Sequence, residues 1–215
     1  MRLSILSLLL SLLSVSGSSN TCEKIDGDCP DSCSDAGYAG TQNFNALIQI
    51  SPFNPSLSLS ASKAEKYIKQ NDHVQSVDNP WMSLHTTLYY FCCYTENEKK
   101  EILKGMKDVT WDSLKVSYDT FGCNLDHDNE TIYLHGMPSN QDDLFSLARK
   151  IEEVIESTGA HVIPRETLFH MTLARVDVDY PVDDVVEYFL NEGVNFGEIE
   201  VNSFHVNGHL FHASN

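Results

Sequence analysis

Positive charge is what this chain has least of. Its 215 residues carry 14 Lys and Arg against 31 Asp and Glu, a formal net charge of −17 at pH 7. Affinity for long nucleic acid comes largely from neutralising many phosphates, so that class of partner is excluded. A small anionic substrate held by a few local donors stays compatible, and the surplus acid favours solubility. Long apolar runs are scarce too. Beyond the N-terminus none approaches the roughly 18 residues that a spanning helix requires, so no membrane partner is expected. No His-Glu-x-x-His and no Gly-x-Ser-x-Gly occurs, which removes the usual zinc-hydrolase helix and the serine nucleophile elbow. Paired Cys-x-x-Cys spacing is absent as well, so zinc held by Cys22, Cys29 and Cys33 is the weaker reading of those residues.

What the N-terminus does have is the pattern of a secretory leader. Arg2 is followed by the apolar and serine-rich run Leu3 to Leu13, then by the small residues of Val15-Ser16-Gly17. Residues 1–17 are therefore expected to be a signal peptide and the mature protein to be extracellular. In that compartment the even set Cys22, Cys29, Cys33, Cys92, Cys93 and Cys123 reads as disulfide-forming. Residues 18–40 are rich in Gly, Asp and Ser with little core of their own. A plausible arrangement staples them onto the body through Cys92, Cys93 and Cys123, with adjacent Cys92 and Cys93 taking different partners. The pairing itself stays open. Asn129-Glu130-Thr131 is a glycosylation sequon consistent with the same route.

Residues 41–215 then form the folded body. Alternating apolar positions predict strands over Phe44–Ile50, Leu84–Phe91, Leu114–Phe121, Thr131–His135 and Leu168–Val176, with one or two more over Glu198–Leu210. Helical spacing predicts helices over Ser60–Gln70, after a Thr95 cap with Glu98 three residues on, from Ser139 to Gly159, and over Pro181–Leu190. The alternation predicts an α+β fold: two pseudo-symmetric lobes with antiparallel sheets flanking a central groove and helices on the outer faces.

One pattern occurs twice. Leu84-His85-Thr86-Thr87-Leu88 and Phe169-His170-Met171-Thr172-Leu173 both read apolar, His, any residue, Thr, Leu, 85 residues apart. On a strand, side chains two apart share a face, so His85 joins Thr87 and His170 joins Thr172. The bare His-x-Ser/Thr pattern is cheap. Among nine histidines it also falls at His212, without the flanking residues. Two imidazoles facing one groove can supply the base and the acid of a phosphoester cleavage, since free imidazole titrates near pH 6.5. Strict alternation places Tyr89 next after Thr87 on the groove face, as a candidate for stacking or phosphate binding. It places Arg175 on the core side, without a catalytic role. Tyr133 and His135 share the polar side of their strand and read as structural surface residues rather than ligands. His205 and His209, on one continuous strand, would stand about 13 Å apart, too far to share an ion.

These motifs, their order and the alternation of elements resemble the 2H phosphoesterase superfamily, of which the chain would be a secreted member. The resemblance spans roughly Phe44 to His212, including the closing Phe196-Gly197-Glu198-Ile199-Glu200-Val201, and excludes the cysteine-bearing segment before Gly40. It implies metal-independent catalysis without cofactor: His85 and His170 as acid and base, with Thr87 and Thr172 donating to phosphate oxygens. The implied substrate is a small nucleotide with a 2′-linked phosphodiester, either a 2′,3′-cyclic nucleotide or a 2′,5′-oligonucleotide, acted on by a monomer. The alternatives are a secreted nucleotide-binding protein without turnover and an RNA-end processing or ligase-like activity.

Overall fold

The structure is a computed structural model that describes residues 23–24, 44–49, 55–77, 84–125, 130–162 and 169–214. The expected leader, the sequon asparagine, Cys22, Cys29 and Cys33 lie outside the described residues.

The strands are β1 (Glu23–Lys24), β2 (Phe44–Gln49), β3 (Val74–Val77), β4 (His85–Cys92), β5 (Leu114–Leu125), β6 (Thr131–Pro138), β7 (His161–Val162), β8 (Met171–Asp177), β9 (Glu198–Val201), β10 (Ser203–Val206) and β11 (His209–His212). The helices are α1 (Pro55–Ile68), α2 (Glu96–Gly105), α3 (Gln141–Ser157) and α4 (Val182–Asn191). The main sheet runs β1-β5-β6-β8-β4-β2-β10-β11, with β3 beside β8, β7 beside β4 and β9 beside β5. Every described pairing is antiparallel except that of β1 with β5, where Glu23–Lys24 lie along Asn124–Leu125.

The two motif strands are neighbours at the middle of this sheet. Among the described residues they pair at one position, Thr86 with Met171. One lobe is built on β8, β6, β5 and β3, the other on β4, β2, β10 and β11, which is the two-lobed α+β arrangement expected from the sequence.

Helices cover one face of each lobe. In α3 the residues Leu144, Leu147, Ala148, Ile151 and Ile155 recur at helical spacing and are all buried. Burying each large side chain of that stripe is worth about 1.5–3 kcal/mol. The α4 helix turns Val182, Val185, Val186 and Phe189 inward, and the Phe189 ring meets Phe121 of β5 edge-on at 5.0 Å. The capping box at α2 forms as the sequence suggests: Glu98 N–H donates to Thr95 Oγ1, and Thr95 N–H donates to a Glu98 carboxylate oxygen. By contrast, α1 begins at Pro55 rather than near Ser60, proline being well suited to a first helical turn.

Cys93 and Cys123 each take part in a disulfide, whereas Cys92, expected from the sequence to form one too, is instead a buried thiol with its sulfur 3.6 Å from Cys93 Sγ.

Candidate active site

The site follows from one register. With Thr86 opposite Met171, antiparallel pairing sets His85 across from Thr172 and Thr87 across from His170. The two His-x-Thr motifs are thus interleaved on one sheet face, each histidine beside the other motif's threonine. His85 and His170 form a diagonal pair, such neighbours ordinarily standing about 7–8 Å apart with their Cβ atoms somewhat closer. That gap suits a phosphoester between two imidazoles.

The opposite face is core. Leu88, Phe169, Met171 and Leu173 are buried there, and Thr86 is fully buried with its hydroxyl bonded to that of Tyr118 on β5. Burial pushes the Tyr118 phenol well above its ordinary range, so it stays neutral. Gly136 of β6 pairs with Met171 of β8 on the other side of that strand.

Gln141, the first residue of α3, holds the chain just before His170. Its Nε2 donates to the Phe169 carbonyl at 2.9 Å, and its Oε1 accepts from the Phe169 N–H at 2.9 Å. The side-chain amide stands in for a neighbouring strand, and the Phe169 side chain is fully buried below.

Two expectations about this face are corrected, for a common reason. Each motif strand carries a β-bulge immediately after its threonine. Leu47 pairs with Thr87 but Ala46 with Tyr89, so Leu88 is an extra residue in the β4 side of that register. His135 pairs with Thr172 but Leu134 with Ala174, so Leu173 is likewise extra on the β8 side. The extra residue inverts the alternation beyond it. Tyr89 therefore turns to the helix-covered face, where it is buried and donates to Glu152 Oε2 of α3 at 2.9 Å. Tyr90 takes the groove face instead, 41% exposed, its hydroxyl 3.5 Å from Thr87 Oγ1. By the same inversion Arg175 comes to the groove face, exposed, its guanidinium carbon 5.3 Å from the centroid of the Tyr133 ring. Tyr90 and Arg175 hold equivalent positions, three residues after Thr87 and Thr172.

A third correction concerns His135. It is 3% exposed, not a surface residue, and its ring stacks on His170 with centroids 4.7 Å apart and planes 29° from parallel. Burial, followed by the charge of His170, lowers its pKa to about 3, with the backbone at Tyr133 acting the other way.

The C-terminal histidines are placed by a hairpin where one continuous strand was considered. Asn207 and Gly208 both take positive φ in a two-residue turn between β10 and β11. His209 pairs with Val206 and Leu210 with His205, so His205 and His209 fall on opposite sheet faces. His205 lies in register with Leu47 and hence with the Thr87 side of the sheet, and its pKa is lowered by burial. Among the described residues no three His, Cys, Asp or Glu side chains gather as a metal site.

No protein-family model and no curated protein matches the sequence. Solved structures do match in fold. E. coli LigT complexed with 3′-AMP superposes with a TM-score of 0.54 at 16% identity, covering 77% of this chain and 86% of LigT. LigT complexed with NADP+ gives 0.54 at 16% identity, over 80% and 94%. Kluyveromyces marxianus Usb1 gives 0.51 at 10% identity, over 79% of this chain and 96% of Usb1. The chain thus carries the two-lobed α+β fold of LigT and Usb1.

Proposed function

We propose that this protein is a metal-independent phosphodiesterase of the 2H type, cleaving a small 2′-linked nucleotide phosphodiester between His85 and His170. The observation that carries this reading is the Thr86–Met171 register, which interleaves two acid–base side chains and two hydroxyls on one face. One imidazole, neutral, takes the proton of the attacking water or ribose hydroxyl. The other, protonated, donates to the leaving oxygen, and the two exchange forms over the cycle. Thr87 and Thr172 donate to the non-bridging oxygens as negative charge builds. Arg175, fixed against Tyr133, supplies positive charge beside them, and Tyr90 offers a ring on which a base can stack.

The nucleotide class is supported by the fold relatives, since LigT is complexed with 3′-AMP, NADP+ and ATP, and Usb1 with uridine monophosphate. Extracellular action on free nucleotides completes the proposal, resting on the leader-like residues 1–17 and the disulfide-bonded Cys93 and Cys123.

A panel of 2′,3′-cyclic, 2′,5′-linked and 3′,5′-linked nucleotides, offered to the purified protein in EDTA, tests the reading. Cleavage confined to 2′-linked substrates is expected. Saturable binding without cleavage of any would identify a nucleotide-binding protein instead.

A further inference from the structure

We propose that His135 is a positioning residue for His170: a fixed neutral imidazole whose ring face supports the protonated form of His170 and so makes it the general acid, leaving His85 as the base. This deepens the phosphodiesterase reading and rests on it for the catalytic roles, but not for the coupling between the two rings.

Three observations carry it. The first is the stack itself, with ring centroids 4.7 Å apart and one ring almost wholly buried. A cation over an aromatic face is attracted by about 0.5–2 kcal/mol, more as the site is desolvated. Second, the ring is held from behind. His135 pairs with Gly122 of β5 on one side and Thr172 of β8 on the other. A methyl carbon at Gly122 would lie 3.1 Å from His135 Nε2 and 3.3 Å from Met137 Cε, so any side chain there would press on the imidazole. Third, His135 is a costly choice for mere packing. Its ring carries two polar nitrogens into a site only 3% exposed, a desolvation cost that a phenylalanine of similar shape would avoid.

Burial of the His135 ring, and after it the charge of His170, keep His135 neutral down to a pKa of about 3. It therefore cannot act as a third acid near neutrality. The arrangement is also one-sided: the position across from Thr172 is His135, whereas the position across from Thr87 is Leu47. Around the pair, on the same face, stand His85 from β4, Arg175 from β8 and Tyr133 from β6, while β5 contributes Gly122 and Asn124, which do not titrate.

The test is the titration of the His170 ring by NMR in the wild type and in His135→Phe and His135→Leu. Phenylalanine keeps an aromatic face and should leave the His170 midpoint within a few tenths of a pH unit. Leucine removes the face and should lower it by about half a unit or more. If the phosphodiesterase reading holds, the leucine variant also loses about tenfold or more in kcat with little change in KM, and the phenylalanine variant restores it. Should the leucine variant fail to fold, Gly122→Ala displaces the ring from behind and is expected to shift the His170 midpoint by a similar amount. A His170 midpoint that is the same with and without the aromatic face overturns the inference, whatever the activity. A shifted midpoint in a protein that cleaves none of the nucleotides upholds the coupling and overturns the phosphodiesterase reading alone.

Discussion

Thr86 pairs with Met171 across β4 and β8, and this one contact fixes the relation between two motifs 85 residues apart. A shift of one residue in that register would turn either histidine away from the other's face. The buried side of the same contact is tied down by the hydrogen bond between the Thr86 and Tyr118 hydroxyls.

Tyr118→Phe should therefore destabilise the protein, because it strands a fully buried threonine hydroxyl. The expected loss is about 1–3 kcal/mol, read from urea or thermal unfolding. Unfolding free energy equal to that of the wild type would show that the bond does not hold the motif strands.

Tyr89 and Tyr90 should separate cleanly in mutagenesis. Tyr89→Ala removes a buried ring and its bond to Glu152, and should lower stability by about 3–5 kcal/mol. Tyr90→Ala and Arg175→Ala, both at exposed groove positions, should leave the melting temperature nearly unchanged and raise KM about tenfold. The opposite assignment, with Tyr90 needed for stability and Tyr89 for substrate, would refute the bulge-based placement.

Gln141→Glu replaces the amide donor that clamps the Phe169 carbonyl with an acceptor. The chain before His170 should loosen, and kcat should fall about tenfold while α3 remains folded, as far-UV circular dichroism can verify. Native turnover would mean that His170 is held without this clamp.

The pH dependence of stability should carry a signature of His135. In the folded protein its pKa is lowered to about 3, against an ordinary value of 6.5. Between those values the unfolded chain binds a proton that the folded protein does not, so folding is favoured as pH rises. This contribution is complete above about pH 6.5 and is lost progressively as pH falls towards 3. His135→Phe has no such group, and its melting temperature should fall less steeply over that window than that of the wild type. Parallel curves would place His135 in water.

Much of this was legible in the sequence where period alone decides. Alternation put His85 with Thr87 and His170 with Thr172, and the Thr95–Glu98 capping box announced α2. What escaped was wherever one residue was added to the count. The bulges at Leu88 and Leu173 carry no compositional mark, so strict alternation sent Tyr89 to the groove and Arg175 to the core, each to the wrong face. The signal at β10–β11 was present, because Asn207-Gly208 is the preferred sequence of a two-residue hairpin. The β3 strand, only Val74–Val77, is too short and polar to stand out, and it gains its place by pairing with β8. The burial of His135 depends on tertiary packing: Gly122 leaves room for the ring and His170 covers it.

The most direct measurement is single-turnover cleavage of a 2′,3′-cyclic nucleotide in EDTA by the wild type, His85→Ala and His170→Ala. Each histidine is expected to contribute a proton transfer worth about 10²–10⁴-fold. Wild-type turnover should be unaffected by the chelator, and each variant should show a loss of that size with folding intact. A variant of either histidine that cleaves within tenfold of the wild type would contradict catalysis by this pair.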